Sequence, residues 1–319
     1  MQDLRQCVRL ATAAPSLHNS QPWRFRVGAE HVDVFADPDR RLDVLDPAGR
    51  ELLISVGAAL FNLRIAIRGG GNVPALELFP GDADPDLVAR VHAGRAELPG
   101  PAVERLVATI PRRHTNRWPF VSAVVPADVV EALTTAAGHE DARLTMAGAT
   151  ARTAILGLSQ EADRQLRARG GYRAELARWT RPAGGRHDGI PPTAIGPWDA
   201  LERLPVRDFG VLQPQLMRTS ERFEPYPTIM ILATAGDDRR HWVAAGQALQ
   251  RVLLVATDLG LATTPISQPV EMPAVRSMLT DTGAGDWAQM ILRLGYGRPA
   301  TASGRRPLAD VLLPAAVPS

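Results

Sequence analysis

Two segments of this chain, residues 52–67 and 242–261, are apolar on nearly every face. Such helices belong in the middle of a fold, because a surface helix shows a polar stripe at every turn. Each ends in glycine: Gly69, Gly70 and Gly71 follow the first, and Gly260 marks the end of the second, where a left-handed C-cap is expected. The two also look like copies. Gly57-Ala58-Ala59-Leu60 aligns with Gly246-Gln247-Ala248-Leu249, and Leu63 with Val252. An apolar strand near an acidic turn precedes each helix (31–36 before Asp37, 228–234 before Asp237), and a further strand follows each (75–79 and 289–294). A strand, helix, strand unit used twice predicts an α+β chain built as a pseudo-dimer around buried central helices.

The connection between the copies, roughly 80–111, is punctuated by Pro and Gly and carries one short helical pattern at 86–92. It divides the chain into an N-terminal half, 1–100, and a C-terminal half, 101–319. A second irregular stretch, about 181–227, is too long for a plain connection in a compact domain. It carries Trp198, Phe209, Leu212 and Phe223, which a disordered linker would lack, so it reads as a lid inserted in the second half.

Composition removes several chemistries. The 36 basic side chains are all Arg. Without Lys there is no side-chain amine for a Schiff base, for pyridoxal phosphate or for a P-loop. One cysteine excludes a disulfide framework and any zinc site built on paired cysteines. The seven histidines, His18, His31, His92, His114, His139, His187 and His241, lack metal-ligand spacing, so no metal is expected. A formal net charge of +2 implies no nucleic-acid partner. No stretch reads as a signal peptide or as the roughly 18 apolar residues of a membrane span, so no membrane partner and a cytoplasmic location are expected.

Chemistry concentrates in residues 13–25, Ala-Ala-Pro-Ser-Leu-His-Asn-Ser-Gln-Pro-Trp-Arg-Phe. Pro15 stops a helix, Pro22 opens a strand, and the loop between is dense in short hydrogen-bonding side chains. On spacing alone it is either a ligand loop or a capped turn anchored by a core Trp. A second cluster, Arg112-Arg113-His114-Thr115-Asn116-Arg117, offers guanidiniums and a hydroxyl, and by itself reads as a basic patch.

Together the two clusters resemble the nitroreductase superfamily, in whose dimers a loop of the form APSxxNxQPWxF reaches an FMN held mainly by an Arg-rich motif of the other subunit. The similarity runs along nearly the whole chain and is greatest to the Acg family, a fused branch of nitroreductase-like proteins. Here the loop lies in the first half and the Arg motif in the middle of the chain, while Ala136-Ala137-Gly138-His139 stands where a second loop would be. One complete FMN site in a nitroreductase-like fold is implied. The resemblance assigns Pro15, Ser16, His18, Asn19 and Gln21 to the flavin loop. It gives Arg113 and Thr115 the terminal phosphate, with Arg112 adding field, and sets Arg117 at the pyrimidine edge as a flavin-tuning cation. Pro265, Ile266, Ser267 and Gln268 match the segment facing flavin N5, although many relatives carry an acidic residue and a glycine in place of Ser267 and Gln268. Arg305, with Arg306 as alternate, matches a basic tail returning to the phosphate.

The implied activity is hydride transfer through flavin N5, with NAD(P)H as donor and a small-molecule substrate or electron acceptor. The implied assembly is a monomer, as an intrachain pseudo-dimer, or a weak homodimer. Three other readings share the cofactor: an FMN-sequestering or storage protein covered by its lid, a biosynthetic FMN-dependent dehydrogenase, and, more distantly, a flavin-cleaving enzyme.

Overall fold

The computed structural model describes residues 3–81, 84–180, 186–210, 217–281 and 283–315. The chain begins with α1 (Leu4–Ala11), β1 (Trp23–Val27), β2 (His31–Ala36), α2 (Arg50–Gly69), β3 (Asn72–Leu78) and β4 (Leu87–Ala96). Helix α3 (Pro101–Thr109) leads to α4 (Ala127–Gly138) and β5 (Ala142–Met146). An insertion follows with α5 (Ala149–Ala168), α6 (Tyr172–Trp179) and the short strands β6 (Trp198–Asp199) and β7 (Ser220–Glu221). The remainder is β8 (Thr228–Thr234), α7 (Arg239–Asp258), β9 (Ala262–Ile266), α8 (Gln268–Glu271), α9 (Pro273–Met278), β10 (Trp287–Gly295) and α10 (Leu308–Val311).

Two antiparallel four-stranded sheets result, β1-β2-β4-β3 and β5-β8-β10-β9. Numbered within its own sheet, each runs first, second, fourth, third. In both, the long helix joins the second strand to the third. This topology corrects two expectations. The counterpart of β3 is β9, with β10 matching β4, so the strand at 289–294 pairs with a different copy from the one expected. Residues 87–92 belong to β4 rather than to a helix, with Asp86 in the turn before it: flanked by β2 and β3, the run takes its conformation from pairing, which overrides the helix-compatible Ala and Arg in it.

The apolar helices occupy the centre. They cross where the sequence aligns two glycines. A Cβ on Gly57 would stand 2.3 Å from the Val243 carbonyl oxygen, and one on Gly246 would stand 2.0 Å from that of Ile54. Nearby, Gln250 Nε2 donates to Asn62 Oδ1 at 2.7 Å, joining the helices through a buried amide pair whose Gln250 Oε1 has no partner. Contrary to the sequence expectation, Arg50–Gly69 is long and apolar enough to cross a membrane by composition, with mean hydropathy 1.5. Here it is a core helix, 83% of that window being buried.

The sheets differ at one junction. Residues 28–30 turn β1 into β2, whereas the equivalent junction between β5 and β8 opens into residues 147–227. Of the expected lid, residues 181–185 and 211–216, including Leu212, lie outside the described residues. Phe209 and Phe223 are buried, while Trp198 is exposed beneath the Arg218 guanidinium. Finally the tail returns to the first sheet: Leu313 N–H donates to the Phe25 carbonyl at 2.7 Å, and Val311 enters the core under β1.

Candidate functional site

A chamber of about 740 Å³, counting its mouth, opens where the first loop, α2, the Arg motif, the insertion and the end of β9 meet. Pro15, Ser16, Thr115 and Arg117 also border a narrower space of about 350 Å³ that continues from it. The two together are elongated, with a broad end and a basic narrow end.

The loop is strained. His18, Asn19 and Gln21 have φ of 49°, 55° and 52°, a left-handed backbone that side chains other than Gly, Asn and Asp rarely adopt. Distant segments hold it there. Gln21 N–H donates to Ser16 Oγ at 2.9 Å, and Asn19 Nδ2 donates to the Gly189 carbonyl at 2.9 Å and the Gly304 carbonyl at 3.2 Å. Gln21 Nε2 donates to the His187 carbonyl at 2.8 Å, and its Oε1 accepts from Arg306 N–H at 2.8 Å. Gln21 is therefore a brace between insertion and tail and lines neither space. Pro15, Ser16 and His18 line the chamber, and Asn19 the narrow end. The His18 ring is buried edge-on to Phe209, with both nitrogens unpartnered. Burial, then the charges of Arg207 and Arg117, keep it neutral by pushing its pKa well below the usual value.

The Arg motif runs along the edge of β9. Asn116 N–H donates to the Thr263 carbonyl at 2.9 Å, and Thr264 Oγ1 donates to the Asn116 carbonyl. In an extended segment alternate residues share a side. Arg113, Thr115 and Arg117 face the cavities, His114 also borders the narrow one, and Asn116 braces the Arg298 carbonyl. Arg112 departs from expectation: it belongs to the helical turn before the extended run, is exposed, and lies 3.6 Å from Asp258, away from the cavity.

Arg113 is 2% exposed. Its Nε has no partner, and Nη2 reaches only the Ala13 carbonyl at 3.4 Å. Arg305 arrives from the tail with its own Nε unpartnered, its Nη atoms on Asn19 Oδ1 and the Ala13 carbonyl at 3.1 Å each. Among the described residues neither guanidinium has an acidic partner. Burial, then the charge of Arg305, lowers Arg113 to about 9; burial lowers Arg305 to about 10. Arg306 instead bonds the Gln21 and Asp310 carbonyls and lies outside both spaces.

At the broad end Arg117 donates to the Ala194 carbonyl at 2.9 Å and packs on Phe209. Burial, then Arg207, lowers it to about 10. Pro265, Ser267 and Gln268 line the chamber. The Ile266 side chain points into the core with Ile291 and Val270. Sequence reasoning missed Glu51, Ser55 and Ala58 on α2, and Arg207 of the insertion, all of which line the chamber. The clue was Arg50-Glu51, a charged pair opening a mostly apolar helix.

The sequence signature of the nitroreductase family matches residues 192–296. Across 97% of this chain and 90% of the relative, it is 32% identical to "Putative NAD(P)H nitroreductase Rv3131" of Mycobacterium tuberculosis. It is 30% identical over 97% of its length to "Putative NAD(P)H nitroreductase acg" of the same organism, covering 94% of that protein. The chain belongs to the nitroreductase family, within its Acg branch. Among solved structures, the FMN-dependent nitroreductase NfnB of Mycobacterium smegmatis in complex with NADPH is 17% identical, with a TM-score of 0.39 over 66% of this chain and 97% of that one.

Proposed function

We propose that this protein is an FMN-dependent NAD(P)H oxidoreductase carrying one FMN per chain. The observation that supports it best is the pair Arg113 and Arg305: two cations at the narrow end, each with an unpartnered Nε and, among the described residues, no acid beside it. Buried charge is tolerated when paired, so such a pair suits a phosphate monoester. Thr115, Ser16 and Asn19 add hydrogen-bonding groups at that end. The broad end fits a flat, partly polar ring: Ile54, Ala58, Leu249 and Pro265 supply apolar walls, and Arg117 a cation for the pyrimidine edge. When bound, FMN supplies two-electron chemistry, accepting a hydride and passing it on. The protein's part is to bind, to shield from water and to stabilise the negative charge of the reduced ring.

We read the chain as two fused halves, 1–100 and 101–319, acting as a monomer. One site per chain follows because α4 reaches β5 through residues 139–141 alone, leaving no counterpart to the 12–22 loop. Val206, Arg207 and Phe209 of the insertion line the chamber, so that segment serves as a lid. The same coverage favours a second reading, FMN sequestration with slow turnover. Two measurements decide. Flavin absorbance against total protein should give one FMN per chain; two would remove the half-site reading, and none would remove the function. Steady-state oxidation of NADH and NADPH with a quinone or nitroarene acceptor separates turnover from storage, since bound flavin that resists reduction supports the second reading.

A further inference from the structure

Glu51 stands in a wall shared by two cavities. On one side is the chamber; on the other is a cleft of about 1150 Å³ that the start of α2 forms with α8 and α9. The residue itself is 3% exposed. Its carboxylate accepts a 2.8 Å hydrogen bond from Arg50 Nη2. That guanidinium is shared, donating also to the Val270 carbonyl and to the backbone and side-chain oxygens of Gln289.

Three acids gather here against two bases. Glu271 pairs with Arg207 through one oxygen and leaves the other without a partner. Asp46 accepts the Leu52 N–H at 2.8 Å where the helix begins. Arg50 and Arg207 are the cations, Arg207 also donating to the Tyr172 hydroxyl at 3.2 Å. Arg276, on the cleft side, is matched by Asp237 at 2.6 Å. Arg169 borders the cleft, and His18 and Arg117 face the chamber. With Glu51, Glu271 and Asp46 against Arg50 and Arg207, the buried group is one positive charge short, which a proton supplies. Burial first, then the Glu271 carboxylate, raises Glu51 well above the usual carboxylate range and favours its protonated form; burial raises Asp46 as well.

We infer that Glu51 is the proton donor to the molecule reduced in the chamber, and that it is reloaded from solvent through the cleft behind it. This deepens the oxidoreductase reading and rests on it. For a quinone acceptor, the hydride comes from flavin reduced by nicotinamide and carries both electrons. The Glu51 O–H bond breaks, its proton forms the new O–H bond on the acceptor, and the carboxylate left behind takes a proton from water in the cleft.

The test compares two acceptors in FMN-loaded protein, menadione, which takes up protons on reduction, and ferricyanide, which does not. In Glu51→Gln the ratio of menadione to ferricyanide reduction rates should fall by about a hundredfold, the scale of general-acid catalysis. Glu51→Asp should recover part of it. Independently of activity, infrared spectra of the wild type should show the carbonyl stretch of a protonated carboxylic acid at neutral pH, lost in Glu51→Gln. An unchanged acceptor ratio in FMN-loaded Glu51→Gln overturns the inference alone, whereas a wild type that takes up no FMN overturns the function and the inference together. Should the Gln variant not fold, the wild-type spectrum decides, and absence of the carboxylic band at neutral pH overturns the proposal.

Discussion

Two sets of buried arginines lie around the same site and live by opposite rules. Beside the broad end Arg207 is locked to Glu271, and behind it Arg50 is spread over Glu51, the Val270 carbonyl and Gln289, in a cluster rich in acids. At the narrow end Arg113 and Arg305 have carbonyls and an amide oxygen but, among the described residues, no acid. The first set lies among acids of the fold itself, and its Arg207–Glu271 pair holds the insertion onto the core. The second carries a charge that burial disfavours, so it is completed from outside. Proximity to a cavity therefore does not mark a ligand-binding arginine; the absence of an internal partner does.

The sharpest way to break this contrast is Arg207→Ala. Leaving the Glu271 carboxylate buried without its cation should cost about 3–5 kcal/mol of stability, read from urea unfolding. The double variant Arg207→Met with Glu271→Gln should recover most of that loss. If the single variant unfolds like wild type, the pair is not structural. Arg113→Ala should do the reverse, leaving urea stability of the FMN-free protein intact or improved while weakening FMN binding. A charge-assisted hydrogen bond contributes about 1.5–3 kcal/mol, roughly tenfold or more in affinity, measurable by quenching of flavin fluorescence.

A smaller effect should appear with pH. Because Arg113 sits near 9 in the fold, well below its ordinary value, the fold binds fewer protons than the unfolded chain above about 9. Its destabilising contribution is full below about 9 and fades as pH rises from there towards the ordinary arginine value, so FMN-free protein gains relative stability in that window. FMN affinity should run the other way, steady below about 9 and falling above it. Arg113→Ala, compared with wild type by fluorescence titration, should lose the Arg113 component of that fall; an identical pH profile in both would clear Arg113 of the phosphate role. The least effect belongs to Arg112→Ala. That exposed side chain faces Asp258 at 3.6 Å, a surface pair worth about 0–1 kcal/mol, and its removal should leave FMN titrations unchanged.

Patterns carried by neighbouring residues are legible in the sequence. The central helices announce themselves because a segment apolar all round has nowhere else to go, and their glycines mark the crossing because only a missing Cβ admits a carbonyl at that distance. Arg113, Thr115 and Arg117 are legible as a spaced set, since an extended run presents alternate residues together. Other features are not. Strand β9 hides behind Pro265, and β4 behind a mixed run of Ala, Val and Arg, because each is completed by pairing with its partners.

Sequence alone thus determined the helical centre, the doubled plan, and the loop and Arg motif whose resemblance pointed to the family. Tertiary structure decided which of those residues act together. It turned Gln21 and Arg306 into braces and sent Arg112 outward. It also brought Glu51, Arg207 and Glu271, which lie far apart along the chain, into one buried cluster beside the chamber. The physical reason is range: side-chain periodicity is a property of a few adjacent residues, whereas the pairing of a buried charge depends on whatever the fold carries to within hydrogen-bonding distance of it.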